Sequence, residues 1–213
     1  MSDIIVIRNE TPADYKTVEE ITRRAFYNLY VPGCSEHYLV HIMRDHKDFL
    51  SGLDFVIEVD GQVIGNIMYT RAKLIDEEKR EKEILTFGPI CIEPSLQRRG
   101  YGKMLMEHSF QRGREMGYEA IVIFGDPSNY VSSGFQSCKK QNVSLENGVF
   151  PAAMLVKELL PATLAGKKWV YQQSTVMNVD EEAARRFDDG LEKLEKKYQP
   201  CQEVFYILSH ASL

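Results

Sequence analysis

The sequence predicts an α/β or α+β fold: a mixed β-sheet with helices on both of its faces. Short apolar runs typical of strands alternate with amphipathic stretches typical of helices. Two apolar runs flank Asp60-Gly61, which is a strong signal for an antiparallel hairpin. A strand, a helix and a strand follow one another between residues 85 and 124, and this order predicts a parallel pair with a right-handed crossover.

The first third of the chain predicts two strands and two helices. Residues 4–8 form an apolar run, and Thr11-Pro12 then gives a cap and a first helical position. A second helix is expected over 35–44. The hairpin strands follow on either side of Asp60-Gly61, and the second of them continues towards Leu74.

The middle of the chain is expected to contain the parallel pair of strands. The charged stretch 76–82 predicts a solvated loop, and a strand is expected over 85–92 with a bulge or break at Gly88-Pro89, because proline cannot donate to a ladder. A helix follows the glycines of residues 97–103. The continuous apolar run 120–124 is typical of a central strand, and a short helix is expected over 128–132.

The last part of the chain gives weaker patterns. Strands are expected over 153–157 and 169–172. Asp180 caps a charged helix with one apolar stripe, and a final strand is expected over 204–208. We therefore expect a main domain over 1–175 and a helix-strand extension over 176–213. The stripe of the charged helix should be buried on the same domain or against a second subunit, so a homodimer stays open; its members are Phe187, Leu191, Leu194 and Tyr198.

Composition excludes several classes of protein. The chain has 213 residues, 44% hydrophobic and 27% charged, as in an ordinary globular protein. A net charge of −5 argues against nucleic-acid binding. No apolar run approaches the ~20 residues that span a bilayer, and the N-terminus lacks the basic segment of a signal peptide, so we expect a cytoplasmic protein without a membrane partner.

Cysteine and histidine spacing gives no metal site. The four cysteines include no C-x-x-C pair, so reduced structural thiols are expected. Cys91 is interpreted as a small apolar residue on a buried strand, with a nucleophile as the alternative. His37 and His41 are four residues apart but have no third ligand, so no metal is expected.

The segment Gln97-Arg98-Arg99-Gly100-Tyr101-Gly102-Lys103 carries the clearest chemistry. It follows a strand and opens a helix, whose free N–H groups and dipole favour an anion. Its glycines allow close backbone approach, and its arginines and lysine add positive charge. A diphosphate is therefore the expected guest. The segment is neither a Walker loop, since Met104 follows Lys103, nor a dinucleotide fingerprint, since Leu105 replaces the third glycine.

Two motifs resemble those of the GNAT superfamily of acyl-CoA-dependent N-acetyltransferases. Gln97 to Gly102 matches the family's Q/R-x-x-G-x-G/A, and Tyr130 to Phe135 matches its Y-x-x-x-G-F. Gly125-Asp126-Pro127 is similar to a bacterial branch of predicted N-acetyltransferases, the YhbS-like proteins. The resemblance covers residues 4–175 and implies a GNAT-like splayed sheet.

The resemblance also implies where acetyl-CoA, the co-substrate, would lie. Strands 85–92 and 120–125 would separate after Gly88-Pro89, and pantetheine would pair with the first of them while the pyrophosphate lies on the glycine loop. The cofactor-binding residues so implied are Ile90, Cys91, Ile92, Gln97, Arg98, Arg99, Gly100, Tyr101, Gly102 and Lys103. The acetyl group would end near Tyr130.

Tyr130 is the predicted catalytic residue, as the general acid that protonates the departing thiolate, since a phenol is protonated at neutral pH. The base is left open among Glu83, Glu93, Asp126 and water. The predicted function is N-acetyltransfer from acetyl-CoA to a primary amine of a small-molecule acceptor, by direct attack in a ternary complex. The alternatives are a protein or peptide N-acetyltransferase, and a non-catalytic CoA-binding sensor or interaction module on the same fold.

Overall fold

A nine-stranded mixed sheet forms the centre of the protein, in a computed structural model that describes residues 3–213. The strands are β1 (Ile5–Asn9), β2 (Phe55–Val59), β3 (Gln62–Asp76), β4 (Glu81–Ile92), β5 (Ala120–Phe124), β6 (Gln136–Ser137), β7 (Val143–Ser144), β8 (Met154–Glu158) and β9 (Trp169–Gln172). The helices are α1 (Tyr15–Phe26), α2 (Glu36–Met43), α3 (Tyr101–Glu115), α4 (Pro127–Tyr130), α5 (Glu181–Asp189) and α6 (Pro200–His210).

The sheet runs in the order β1-β2-β3-β4-β5-β8-β6, and β9 pairs with both β3 and β7. β1 to β4 are joined in antiparallel pairs, and Val59 pairs with Gln62 across the predicted hairpin turn. β5 lies parallel to β4 after the α3 crossover. The predicted mixed sheet is therefore confirmed, including the parallel pair β4 and β5.

Helices cover both faces of the sheet, as predicted. On one face, Val18 of α1 and Val40 of α2 pack with Val56 and Met68. On the other face, the apolar side of α3 packs against residues of β2 and β3 that alternate along these strands with Val56 and Met68. The apolar residues on this second face include Phe55, Ile57, Ile67, Tyr69, Leu105 and Phe110. The core therefore lies in two layers, one on each side of the sheet.

The sheet opens between β4 and β5. The two strands pair only at Leu85 and Ile121 among the described residues. β4 also carries a bulge, because Phe87 faces Tyr69 and Ile90 faces Ile67, which leaves Gly88 and Pro89 opposite a single residue of β3. The Gly88–Pro89 peptide bond is cis. Beyond the bulge, the edge of β4 that faces β5 has no strand partner within residues 3–213.

The first helix begins later than the cap at Thr11 predicts. Residues 12–14 form a turn, and α1 starts at Tyr15. The reason lies in Asp14, whose carboxylate accepts hydrogen bonds from the backbone N–H and the hydroxyl of Thr11 at 2.8 and 2.7 Å. Arg8 of β1 also binds this carboxylate at 2.7 Å. Thr11 is therefore tied to a turn that precedes the helix.

The C-terminal segment differs from the sequence prediction in two places. The charged helix ends at Asp189, so Leu191, Leu194 and Tyr198 lie outside it and are exposed. The predicted final strand over 204–208 is part of helix α6. A continuous run of apolar residues does not separate a strand from a helix by periodicity, and Pro200 at the first turn favours the helix. The segment 176–213 therefore contains two helices, α5 and α6, instead of the predicted helix and strand.

No helix among the described residues 3–213 is long and apolar enough to cross a membrane.

Candidate active site

The glycine loop presents a row of free backbone amides. α3 begins at Tyr101, and its first backbone hydrogen bond runs from Met104 N–H to the carbonyl oxygen of Gly100 at 3.0 Å. The amides of residues 98–103 donate to no acceptor within residues 3–213. Gly100 has a φ of +91°, a backbone conformation that favours glycine and turns the chain into the helix. The arrangement is an open anion cradle at a helix N-terminus.

The side chains of the loop have different roles. Gln97 donates from Nε2 to the carbonyl oxygen of Ile92 at 3.1 Å, which fixes the loop to the end of β4. Arg98, Arg99 and Lys103 are exposed. Tyr101 is buried in the α3 core, with its hydroxyl 3.5 Å from Asp3, so only its backbone amide belongs to the cradle.

A basic cleft continues from the loop along α3. Its volume is about 230 Å³, and its lining includes Lys103, Arg114 and Lys157. Lys157 donates to the carbonyl oxygen of Ser133 at 2.8 Å, and burial lowers the pKa of its ammonium. The cleft therefore adds positive charge beside the amides, although the chain as a whole is acidic.

The end of β4 carries Ile90, Cys91 and Ile92. Ile90 and Ile92 face the α3 side of the sheet, where they pack with its core. The Cys91 thiol faces the other side, 3.4 Å from both Thr22 Oγ1 and Asn66 Oδ1. Burial raises the pKa of this thiol to about 11. Cys91 is therefore a buried thiol rather than a nucleophile at neutral pH.

Tyr130 lies at the C-terminal end of α4, across the opening from β4. Its ring packs against Phe87 and Phe135 at centroid distances of 5.9 and 5.8 Å. A Cβ on Gly125 would lie 2.6 Å from the ring, so the glycine makes room for it. The hydroxyl makes no hydrogen bond within the described residues. Burial, with the nearby Tyr30 and Asp126, raises the pKa of Tyr130, so it carries its proton at neutral pH.

The structure separates the three candidate bases. Glu83 lies at the opposite end of β4, near the start of β5, where its carboxylate accepts from the Tyr118 hydroxyl at 3.2 Å. Glu93 is held by Arg24 at 2.7 Å. Asp126 alone lies beside Tyr130, and its carboxylate accepts from the Ser128 N–H at 2.8 Å. Glu83 and Glu93 are therefore poor candidates.

Sequence reasoning missed two residues near this site: Tyr30, which lies near Tyr130, and Glu36, which lies near Tyr30. Tyr30 follows α1, and Glu36 opens α2. Burial, with the charges of Glu36 and Asp126, raises the pKa of the Tyr30 phenol to about 12, and burial also raises the pKa of Glu36. The sequence around Pro32-Gly33 indicated only a turn. Nothing in it predicted that this turn reaches the end of β5.

Helix α6 is anchored on both sides of this region. Near its start, Gln202 donates from Nε2 to the carbonyl oxygen of Asn28 at 3.0 Å. After its end, Ala152 N–H donates to the carbonyl oxygen of Ala211 at 2.9 Å, next to Ala153, whose carbonyl accepts from Gly125 N–H at 2.9 Å. The helix therefore spans from the α1–α2 turn to the strand beside β5.

His37 and His41 do not form a metal site in the described part of the chain, where no group of three or more metal-ligating side chains occurs. His37 is buried with its Nε2 3.3 Å from Asp188, and His41 lies 3.1 Å from Glu19. Burial lowers the pKa of His37, so the ring is neutral. Both rings pack against Phe187 of α5.

Comparison with known proteins gives the family. The sequence model of the acetyltransferase (GNAT) family matches residues 23–136. A curated relative, the uncharacterized N-acetyltransferase YhbS of Escherichia coli K12, is 26% identical over 132 residues, which cover 62% of this chain and 74% of the relative.

Two solved structures share the fold. The crystal structure of YhbS from Escherichia coli in complex with CoA has a TM-score of 0.71 at 24% identity and covers 84% of this chain and 94% of its own. A GNAT family acetyltransferase from Brucella melitensis in complex with acetyl-CoA has a TM-score of 0.63 at 22% identity and covers 82% and 98%. The chain therefore belongs to the GNAT acetyltransferase family and is an acetyl-CoA-dependent N-acetyltransferase.

Proposed function

We propose that this protein transfers the acetyl group of acetyl-CoA to the primary amine of a small molecule, at the opening between β4 and β5. One observation carries the proposal: the free amides of residues 98–103 lie at the end of β4, and the free hydroxyl of Tyr130 lies across the opening. An anion cradle and a proton donor on two sides of an unpaired strand edge suit a long thioester with a diphosphate at one end.

The geometry supports a binding role for each part of the loop and of the end of β4. The amides of 98–103, with Arg98, Arg99 and Lys103, bind the pyrophosphate through charge-assisted hydrogen bonds. The unpaired backbone edge of Ile90, Cys91 and Ile92 pairs with the amide groups of pantetheine, as a further strand would. Gln97 positions the loop rather than touching the ligand, because its side chain is bound to Ile92.

The chemical step uses the proton of Tyr130. The neutral amine nitrogen of the acceptor forms a bond to the acetyl carbonyl carbon, the carbon–sulfur bond breaks, and CoA leaves as a thiolate. The Tyr130 hydroxyl donates its proton to that sulfur, the proton lost by the amine passes to water or a carboxylate, and water then returns a proton to the Tyr130 phenolate. Because the raised pKa of Tyr130 keeps the phenol protonated, this donor is in the required state at neutral pH.

A small acceptor is favoured by the position of α6. An extended peptide needs an open groove, whereas α6 is anchored to Asn28 on one side and to residues 150–152 on the other. We infer that residues 176–213 serve the 1–175 domain as a cover over its acceptor side.

A turnover screen tests the proposal. The full chain is mixed with acetyl-CoA and a panel of small primary amines, and free thiol and acetylated amine are both measured. We expect amine-dependent release of thiol that matches the acetylated product. Acetyl-CoA binding without any turnover would indicate a CoA-binding module instead, and activity confined to peptides would overturn the small acceptor.

A further inference from the structure

Four separate parts of the chain come together around Tyr30, which lies near Tyr130. Tyr30 comes from the turn after α1, Glu36 from the start of α2, Asp126 from the end of β5, and Phe205 from α6. Tyr30 is the centre of the group: Phe205 stacks on its ring, and Glu36 and Asp126 both raise the pKa of its hydroxyl. Tyr30 in turn lies close enough to Tyr130 to help raise the pKa of its hydroxyl. We call this group the acceptor wall.

The aromatic half of the wall is a parallel stack. The rings of Tyr30 and Phe205 lie 4.1 Å apart at an interplanar angle of 26°. Phe26 of α1 packs beside them in a tilted arrangement, with its ring centroid 5.9 Å from that of Tyr30. The Phe205 ring is half-buried, whereas its neighbours Val204 and Tyr206 are 62% and 59% exposed. Phe205 is thus the aromatic side chain through which α6 faces the site.

The position of Phe205 is fixed by the anchors of α6. Cys201 donates from Sγ to the carbonyl oxygen of Leu29 at 3.3 Å, immediately before Tyr30. Leu213 N–H donates to the carbonyl oxygen of Phe150 at 2.9 Å after the helix ends. A helix held on both sides presents a rigid ring rather than a mobile one, which is what a specificity wall requires.

The charge of the wall is negative. Glu36 and Asp126 are the two carboxyl groups near Tyr30, and both raise the pKa of its hydroxyl. Glu36 is half-buried, and its carboxylate accepts a hydrogen bond from Ser35 N–H at 3.0 Å, within its own turn. A half-buried carboxylate whose hydrogen-bond partner lies within its own turn attracts a cation.

We propose that the acceptor wall selects a primary amine carried on a flat apolar body, an arylalkylamine. The apolar body packs against the stacked rings of Tyr30 and Phe205, and Glu36 binds the ammonium group as it enters. This inference rests on the proposed function, because it names the acceptor class of the same site. Phe205 and Tyr30 determine specificity, and Glu36 binds and orients the amine.

The test compares two amines that share an ammonium and differ in the apolar body. We measure kcat/KM of the full chain for 2-phenylethylamine and for ethanolamine at saturating acetyl-CoA. We expect 2-phenylethylamine to be preferred by roughly 10- to 100-fold, the range for one large apolar contact. Phe205→Ala should remove most of that preference, and Phe205→Leu, which keeps the apolar volume, should remove part of it.

Two controls make the test specific. Tyr206→Ala removes the exposed neighbouring ring, which contacts His210 at 4.1 Å, and should leave the preference unchanged. Glu36→Gln should raise KM for both amines while the affinity for acetyl-CoA, measured by calorimetry, stays the same.

The outcomes separate the two proposals. Equal kcat/KM for the two amines, or equal losses with both in Phe205→Ala, would overturn the acceptor class while acetyl transfer stands. If no amine is acetylated at all, both proposals fail. A preference that disappears in Phe205→Ala and persists in Tyr206→Ala supports the wall as described.

Discussion

Single residues at the opening of the sheet have clear physical roles. Phe135, which is 1% exposed, packs against Phe87 and Phe110 at centroid distances of 6.0 and 5.9 Å. These rings support Tyr130, so the second motif encodes the proposed proton donor together with its packing. The sequence indicated Tyr130 through that motif. It gave no indication of Tyr30 or Glu36, because their place beside β5 depends on how α1 and α2 dock.

Tyr130→Phe tests the proton donor. The change keeps the ring that packs against Phe87 and removes only the hydroxyl. We expect kcat to fall by ~10²–10⁴, the range for loss of one general acid. KM for acetyl-CoA should change little, because the hydroxyl acts in the transition state. Steady-state kinetics on an established amine measures both. A variant with the parental kcat, where chemistry limits the rate, would leave Tyr130 with a packing role only.

Asp54→Asn tests a buried carboxyl away from the site. Burial, with the neighbouring Glu10, raises the pKa of Asp54 to about 9, against ~3.9 in an unfolded chain. The folded protein thus keeps a proton that the unfolded chain loses, so the free energy of unfolding should fall as pH rises from about 4 to about 9. The amide carries no such proton, so the variant should lose this slope and be the more stable protein at pH 8.

Urea unfolding of both proteins at several pH values between 5 and 8.5 measures the slope. Asp45→Asn, at an exposed position, is the control and should keep the parental slope. Identical slopes in the parent and in Asp54→Asn would show that the buried carboxyl does not carry the proton.

Elements of the fold were predictable where local signals agree with packing. Asp60-Gly61 fixed the β2–β3 hairpin, and the glycine loop fixed the start of α3. The apolar run in α6 was predicted as a strand because β-favouring residues fill it, yet its backbone pairs with no strand along the run. The charged helix was predicted too long because apolar residues continue at helical spacing past Gly190. The chain turns there instead, and Asn28 donates from Nδ2 to the carbonyl oxygen of Glu195 at 2.9 Å.

Gly102→Leu tests the loop as an element. A Cβ at this position would lie 3.7 Å from Ile92 Cγ1, which is an ordinary contact, and Gly102 is itself one of the residues with a free amide. We expect the affinity for acetyl-CoA to fall about 10- to 100-fold, as for one or two lost hydrogen bonds to a charged ligand. Calorimetry measures it. Gln111→Leu, on the exposed face of the same helix, should bind as the parent does. Unchanged affinity in the glycine variant would remove the loop from the binding site.

At the scale of the whole molecule, the two ends of the chain close on one another. Arg23 of α1 donates from Nε to Asp188 of α5 at 2.7 Å, across 165 residues of sequence, and both side chains are buried. Phe187 packs beside them on His37 and His41. No pattern in the sequence links such distant charges, so this contact could only be found in the folded chain. It joins α5 to the helical face that carries Tyr30 and Glu36.

This ion pair gives the last prediction. Asp188→Ala leaves the Arg23 guanidinium buried without its carboxylate, so we expect it to lower the free energy of unfolding by about 3–5 kcal/mol. The pair Arg23→Met with Asp188→Leu removes both charges and keeps apolar volume, so it should recover most of that loss. Urea unfolding gives these values.

Acetyl-CoA affinity should stay at the parental value in the double variant, because the amides of 98–103 lie at the start of α3 and make no contact with this pair. If Asp188→Ala costs no more than about 1 kcal/mol, as for an exposed pair, then this ion pair does not hold α5 against α1.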